Sequence, residues 1–335
     1  MRALEIANDR SVQLVSREDP PSLAADEVRI GIRYSGICGS DLHLLNSEMA
    51  PPGLVLGHEF SGVITEVGAA VDGFGVGERV TVVPVAPCGH CRSCTVGESV
   101  CLEGLQAGPG LGRAGGYADS VVVPDVMVRR LPDSVSDVAG ALAEPLAVAV
   151  RGVAHGGADP DAPVAVLGAG PIGFMTVVAL QARGFTDIVA VDPNEARRKK
   201  VEALGVTGCA PAGAADSVPA GLRAAPRVVF DCTGHPSGVP LGLEMLPQAG
   251  SLIVVGVPFE PITTDFFSVA TRELRVQGSL AYQEADFAEA LEHLAAGRVP
   301  VDAVVTSIVA LDEAWSSMQD LASGRSQHVK VLLKP

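Results

Sequence analysis

Aromatic residues are scarce in this chain: one tryptophan, three tyrosines and nine phenylalanines, 4% of 335 residues. With 47% hydrophobic residues overall, the core must be built mainly from Ala, Val and Leu. Basic residues are also in deficit, 24 against 39 acidic, for a net charge of −15. A chain this acidic repels phosphate backbones and anionic headgroups, which argues against nucleic acid or a membrane as partner. Its one basic run, Arg197-Arg198-Lys199-Lys200, is short and leads into helical residues, where a solvated helix face accounts for it. No apolar run approaches the ~20 residues that cross a bilayer; the most apolar stretch, Val138–Val150, is broken by Glu144-Pro145. Charges at Arg2, Glu5, Asp9 and Arg10 leave no apolar leader to be cleaved. The expectation is a cytoplasmic protein whose seven cysteines stay reduced. No stretch is low in complexity, and the length suits two domains.

What is present begins with Gly36-Ile-Cys38-Gly-Ser40-Asp41-Leu-His43, followed by Gly57-His58-Glu59. A soft thiolate, a borderline imidazole and a carboxylate suit zinc with one coordination position left open. The spacing of Cys38 and His58 does not by itself separate metal ligands from ordinary core residues. Residues 27–34 alternate with period 2, so Cys38 falls in the loop after a strand. Residues 55–85 are β-rich and punctuated by glycine, the pattern of a small rolled sheet. Then Cys88-x2-Cys91-x2-Cys94-x6-Cys101 sets four thiols within fourteen residues. That density suits a closed, structural zinc site; the alternatives are disulfides or scattered free thiols. His90 is an alternative ligand, read here as exposed. A β run is expected over 117–123 and a helix over 137–143. Glu144 then stands among apolar residues, either as a helix-terminus carboxylate or as one that is paired or bound to metal.

After a turn-rich connector at 159–163 the pattern changes. A buried strand over 163–167 runs into Gly168-Ala-Gly170-Pro171-Ile172-Gly173, then a helix to near Gly184, then a strand ending at Asp192, nineteen residues past Gly173. This is a dinucleotide fingerprint with strand before, helix after and an acid about 20 residues on. Gly168 allows the tight turn, Gly170 lets backbone approach a pyrophosphate, and Gly173 lets helix pack on strand. The helix N-terminus offers amides to the phosphates. Asp192 is expected to accept from the adenosine ribose hydroxyls and to repel a 2′-phosphate, favouring NAD, with Arg197 nearby leaving NADP open. Further strands at 227–231, 251–255 and 273–277 alternate with helical patterns, which predicts a doubly wound parallel sheet. Asp286 to Glu289 reads as a capping box opening a helix on which His293 faces solvent. A helix over 311–321 sets Trp315, Met318 and Leu321 at core spacing, and 329–333 is a final strand.

Along essentially its whole length the chain resembles the zinc-dependent medium-chain alcohol dehydrogenases, particularly the sorbitol, butanediol and threonine dehydrogenase branch. The resemblance rests on Cys38-Gly-Ser40-Asp41-x-His43, on Gly57-His58-Glu59-x2-Gly62-x5-Gly68-x2-Val71, and on the four cysteines. Glu144-Pro-Leu-Ala-Val148, Gly168–Gly173 with Asp192, and Asp231-Cys-Thr233-Gly234 complete it. It implies an α/β chain with a GroES-like β-rich catalytic domain over 1–150, completed by 290–335. A Rossmann NAD-binding domain over 151–289 follows, with the active site between the two. It also implies two zincs per chain: a structural one on Cys88, Cys91, Cys94 and Cys101, and a catalytic one on Cys38 and His58. Glu59 and Glu144 would be the carboxylates there, either as direct third ligand or through water. Asp41 would orient His58 through its other ring nitrogen. Thr233 would join Gly168, Gly170, Pro171, Ile172, Gly173, Asp192 and Arg197 in holding NAD.

The implied reaction is hydride transfer between an alcohol carbon and nicotinamide, with zinc as Lewis acid. Ser40 would take the alcohol's proton and relay it through the nicotinamide ribose to His43, which is otherwise a solvated loop residue. A homodimer or homotetramer is implied as well. Two features depart from the pattern. The last cysteine gap is six residues rather than the usual seven. After Gly278, where sorbitol dehydrogenases carry an arginine for polyol hydroxyls, this chain reads Ser279-Leu280-Ala281-Tyr282, and its loop from Cys38 to His58 is short and apolar from Met49 to Leu56. Both the missing arginine and the apolar loop lean towards a less hydroxylated secondary alcohol or its ketone. The alternatives are a polyol, sugar-alcohol or aminocyclitol dehydrogenase with the same machinery and, more remotely, a non-catalytic dinucleotide-binding protein.

Overall fold

The computed structural model describes residues 1–18, 22–45, 50–97, 99–211, 219, 221–324 and 326–335; Met49 of the apolar loop lies outside them. The chain forms two compact units. One comprises Met1–Glu144, Leu294–Gly297 and Val305–Pro335, the other Pro145–His293 and Arg298–Val304.

The first unit opens with the hairpin β1 (Arg2–Ile6) and β2 (Val12–Ser16). Then come β3 (Glu27–Gly36), helix α1 (Gly39–Leu45), β4 (Glu59–Val67) and β5 (Arg79–Val82). Short helices α2 (Arg92–Val96) and α3 (Leu102–Gln106) carry the cysteine lobe. After β6 (Ser120–Pro124), β7 (Val128–Arg130) and α4 (Asp137–Gly140), the chain enters α5 (Ala143–Gly156). In β3 the inward Val28, Ile30 and Ile32 alternate with more exposed residues, as the period-2 pattern predicts. They pack with Phe60, Ile64, Val80, Val82, Val121 and Met127 in an aliphatic core. The last strands, β14 (Val305–Ala310) and β15 (Lys330–Lys334), join the same sheet, in the order β14-β15-β3-β4-β5-β7 with β6 also on β3.

The second unit is built on β8 (Val164–Leu167), β9 (Ile188–Val191), β10 (Thr207–Cys209), β11 (Val228–Asp231), β12 (Ser251–Val254) and β13 (Arg275–Gly278). Helices α6 (Pro171–Ala182) and α7 (Glu195–Glu202) connect the first three strands. All pairings are parallel, in the order β10-β9-β8-β11-β12-β13. That is the doubly wound order, whose direction reverses between β8 and β11, and ligands of such sheets bind beyond the strand ends at that point. Every residue of β8, β9 and β11 is buried, which is why they read as unbroken apolar runs.

Several local expectations need correction. Only Ser120–Pro124 of the predicted β run is strand; Tyr117 turns inward and is fully buried. The single helix predicted over 137–143 is two: Ser136 Oγ accepts from Ala139 N at 3.1 Å to cap α4, and α5 begins anew at Ala143. Pro145 therefore sits in a first helical turn, where it forfeits no intrahelical bond. Asp286 does not open its helix. The helix spans Glu284–Ala295, and Asp286 lies in its first turn, its Oδ2 accepting from Gln283 N at 2.8 Å. His293 is buried rather than solvent-facing, because Arg298 folds back past the helix end and its Nη1 lies 3.0 Å from His293 Nδ1. Among the described residues no helix is long and apolar enough to cross a membrane.

Candidate metal centre and dinucleotide site

Strand pairing brings the two early motifs together. Gly36, at the end of β3, is the register partner of Glu59, at the start of β4. The chain leaves β3 directly into Ile37, Cys38 and α1, and reaches β4 through His58. A side chain at Gly36 would collide with the Glu59 carboxylate and Lys330, so glycine is needed for this approach. One ligand atom each from Cys38, His58 and Glu59 lie within 4.8 Å of one another. Ser40 Oγ donates to Cys38 Sγ at 3.2 Å. Asp41 is fully buried: its Oδ2 accepts from Cys38 N at 3.0 Å and Tyr117 OH at 2.5 Å. Its Oδ1 lies 3.5 Å from His58 Nδ1, an ion-pair contact longer than a good hydrogen bond. That orientation leaves His58 Nε2 for a metal. His43 is exposed on α1. Glu144 is buried in the first turn of α5, outside the 4.8 Å group.

Two residues of this centre are invisible to motif reasoning. Lys330, on β15, is 2% exposed; its Nζ pairs with Glu59 Oε2 and donates to Ile37 O at 3.0 Å. Burial opposes its charge, but the charges of Glu59, Cys38 and Glu144 outweigh burial and raise its pKa. The signal was a lysine inside the apolar run Val329-Lys330-Val331-Leu332-Leu333. Tyr117 is the other, a phenol whose pKa is raised well above its ordinary value by burial and by Asp41.

The donor set fits a metal cation. Glu59, Cys38 and Glu144 all act on Lys330, the cationic partner, and Asp41 and Cys38 act on His58. Glu59 Oε1 is buried without a hydrogen-bond partner, as are Asp41 Oδ1 and His58 Nδ1. Burying anionic groups in such excess is costly without a further cation. Burial alone would lower the His58 pKa, yet Asp41 and Cys38 lift it well above its usual value. The same field favours a divalent ion, and sulfur with imidazole and carboxylate suits zinc.

The cysteine lobe offers a second set of ligand atoms, with all four positions filled by sulfur. The thiols of Cys88, Cys91, Cys94 and Cys101 lie within 4.8 Å of one another, and all are free. Cys88 and Cys94 sulfurs are 3.9 Å apart, and those of Cys91 and Cys101 3.8 Å. A tetrahedron with Zn–S bonds of ~2.3 Å has edges of about 3.8 Å, whereas a disulfide would need ~2.05 Å. The amide of Cys88 and, more weakly, that of Gly104 point at Cys101 and, against burial, pull its thiol down to about 6. Cys101 is the N-cap of α3, its side chain accepting from Gly104 N. His90 faces outward, its Nε2 3.2 Å from Glu103 Oε2.

In the second unit the fingerprint glycines do three different things. Gly168 has φ +88° and is followed by Ala169, whose N donates to Asp192 Oδ2 at 2.8 Å. Gly170, N-cap of α6 with Pro171 next, has nothing within 4 Å of where a side chain would stand. A Cβ at Gly173 would strike Gly168 O. Pro171 and Ile172 open α6; proline has no amide hydrogen, so the first-turn N–H groups available to a phosphate are those of Ile172 and Gly173. Thr233, past the end of β11, lies beside Gly168 and its Oγ1 donates to Asp231 Oδ1 at 2.6 Å. Asp192 is 3% exposed; Asn194 N donates to its Oδ1 at 2.7 Å, and Arg197 Nη1 stands 4.0 Å from Oδ2. Arg198 also turns back, its Nη1 donating to Asp192 O at 2.7 Å. The basic run is thus only partly a solvated face, with two of its arginines gathered at Asp192.

A dinucleotide bed serves hydride transfer, and an open three-ligand metal centre polarises a substrate oxygen. A chain that carries both falls in the class of metal-assisted, dinucleotide-dependent oxidoreductases. Known proteins narrow the class. Residues 24–133 match the family model for the alcohol dehydrogenase GroES-like domain, and residues 171–296 that for zinc-binding dehydrogenases. The chain is 31% identical over 335 residues to a probable D-xylulose reductase A of Aspergillus fumigatus, covering 96% of this chain and 93% of that one. The fold matches 2R,3R-butanediol dehydrogenase from Bacillus subtilis with a TM-score of 0.87 at 28% identity, over 100% of this chain and 99% of that one. An alcohol dehydrogenase from E. coli CFT073, complexed with NADH, matches with a TM-score of 0.87 at 27% identity and the same coverage. The chain belongs to the zinc-dependent medium-chain alcohol dehydrogenases, with a GroES-like domain and a Rossmann domain. It is an NAD-dependent zinc oxidoreductase.

Proposed function

We propose that this enzyme interconverts a secondary alcohol and its ketone, at a zinc held by Cys38, His58 and Glu59. The observation that carries the assignment is the convergence of those three ligand atoms, with Glu59 Oε1 buried and unpartnered. Glu144, buried nearby, acts through water. Cys88, Cys91, Cys94 and Cys101 hold a second, structural zinc. When bound, the catalytic zinc supplies Lewis acidity and NAD the hydride acceptor. Ser40, two residues from Cys38 and hydrogen-bonded to its sulfur, takes the alcohol's proton. His43 is three residues further along α1, on the same helix side, and exposed, so it passes the proton to solvent.

The named relatives support the substrate class. D-Xylulose is a ketose and 2R,3R-butanediol has two secondary carbinols, so both names describe chemistry at a secondary carbon. The stretch after Gly278 reads Ser279-Leu280-Ala281-Tyr282, without the arginine that the resemblance assigns to polyol hydroxyls. A panel of alcohols at saturating NAD, followed by NADH absorbance, is expected to give 2,3-butanediol and 2-butanol at least about tenfold higher kcat/KM than sorbitol or xylitol. The D-xylulose reductase likeness favours the polyol reading, and the reverse order would establish it. No oxidation of any alcohol would sink both.

Gly168, Gly170, Pro171, Ile172 and Gly173 are placed to hold the NAD pyrophosphate, Thr233 flanks it, and Asp192 with Arg197 meets the adenosine ribose. Asp192→Ala is expected to weaken NAD by roughly tenfold to a hundredfold, the worth of hydrogen bonds to a charged acceptor. NADP should lose far less, because the repulsion of its 2′-phosphate goes too. Equal losses in direct binding measurements would remove the ribose contact. We further infer a cytoplasmic homodimer or homotetramer. The edge strand β13, each residue of which is exposed, with Phe266 and Phe267 at 71% and 77% exposure nearby in sequence, supports pairing with a second copy.

A further inference from the structure

The turn from β1 to β2 places Arg10 at φ +66°, in the left-handed region where glycine is favoured. Arg10 N donates to Ala7 O at 3.0 Å and Ala7 N to Ser11 O at 2.8 Å, a turn that glycine would close without strain. What arginine gains there is reach. Its Nε donates to Leu45 O at 2.6 Å, Nη2 to Leu44 O at 2.8 Å and Nη1 to Ala50 O at 2.6 Å. Leu44 and Leu45 lie in the last turn of α1, where the negative pole of the helix attracts a cation. The same hairpin holds the next segment through Ile6 N to Leu54 O at 3.0 Å and Gly53 N to Ile6 O at 2.8 Å. One hairpin thus grips both the end of α1 and the approach to His58. A backbone outlier kept where its side chain makes charge-assisted bonds points to a role for that side chain.

We propose that Arg10 is a positioning residue for proton transfer: by fixing the last turn of α1 it sets His43 relative to Ser40. The proposal rests on Ser40 and His43 being the proton path. A planar guanidinium spreads five donors over a fork that reaches separated carbonyls, whereas an ammonium gathers three on one atom.

Arg10→Gly removes the side chain while relieving the left-handed strain, so folding is not at stake. Arg10→Lys keeps the charge without the fork. Hydrogen exchange of the amides at 42–45 is expected to quicken about tenfold in both variants, with α6 unchanged. Alcohol oxidation should fall about tenfold at pH 7 and recover towards pH 9.5, where solvent takes the proton directly. The Arg10→Gly/His43→Ala double variant should be no slower than His43→Ala alone. Unchanged exchange in α1 overturns the proposal by itself. So does a double variant that loses the product of the two single losses, since independent effects multiply. If His43→Ala leaves the rate at pH 7 untouched, the proton path has failed, and Arg10's part in it falls even where the exchange result stands.

Discussion

Replacing Lys330 with methionine is expected to cost ~3–5 kcal/mol of unfolding free energy, the penalty for removing one partner of a buried ion pair. Glu59 is completely buried and Lys330 nearly so. Methionine fills much the same volume, so the loss is electrostatic rather than a cavity. The Glu59 carboxylate loses its cationic partner, Oε1 has no hydrogen-bond partner to begin with, and Ile37 O loses its donor. Urea denaturation of the zinc-free protein at pH 7 measures the effect, since a zinc on Glu59 would itself offset the charge. Adding Glu59→Gln to Lys330→Met removes the stranded charge and should recover most of the loss, a coupling that a double-mutant cycle isolates. A cost below about 1 kcal/mol for Lys330→Met alone would mean that water reaches Glu59, as in exposed pairs. The apolar setting of the metal centre would then be wrong.

Lys330 also marks where the sequence stops being legible. Motifs whose chemistry is local could be read: the fingerprint works because Gly168, Gly170 and Gly173 act within one turn, and the cysteine lobe because four thiols share fourteen residues. Even the mechanism of each glycine was readable, being steric. Lys330 reaches Ile37 across 293 residues of chain, and Tyr117 reaches Asp41 across 76. Both contacts exist only because β15 pairs with the end of β3 and Tyr117 turns inward beside it. The apolar run around Lys330 signals that the lysine is buried, but neither neighbourhood identifies the partner. His293 was misread for a related reason: helical periodicity describes the helix, whereas Arg298, which buries it, lies beyond the helix end. The two carboxylates show the same boundary. Sequence placed Glu59 and Glu144 on equal terms, and only the β3–β4 register puts Glu59 with Cys38 and His58.

Cys38→Ser should leave one zinc per chain where the native enzyme holds two, and lower kcat/KM by at least about a thousandfold. The first part follows from ligand softness: a serine hydroxyl is harder and far less acidic than a thiol, and His58 with one carboxylate makes a poor site alone. The second follows because losing a Lewis acid forfeits several kcal/mol of barrier lowering, each 1.36 kcal/mol being tenfold. Elemental analysis after dialysis counts the metal. Cys101→Ser supplies the contrast. It removes a sulfur on which the amides of Cys88 and Gly104 converge, in a lobe whose α2 has no buried residue and whose α3 buries only Gly104. There the thiolates stand in for a core, so the lost zinc should appear as lost stability and easier proteolysis around 88–106, with the catalytic zinc retained in the folded fraction. If Cys38→Ser still carried two zincs, or kept a tenth of native activity with one, the convergence of Cys38, His58 and Glu59 would not be a metal centre. Its unpartnered carboxylate oxygen would then need another cation to explain it.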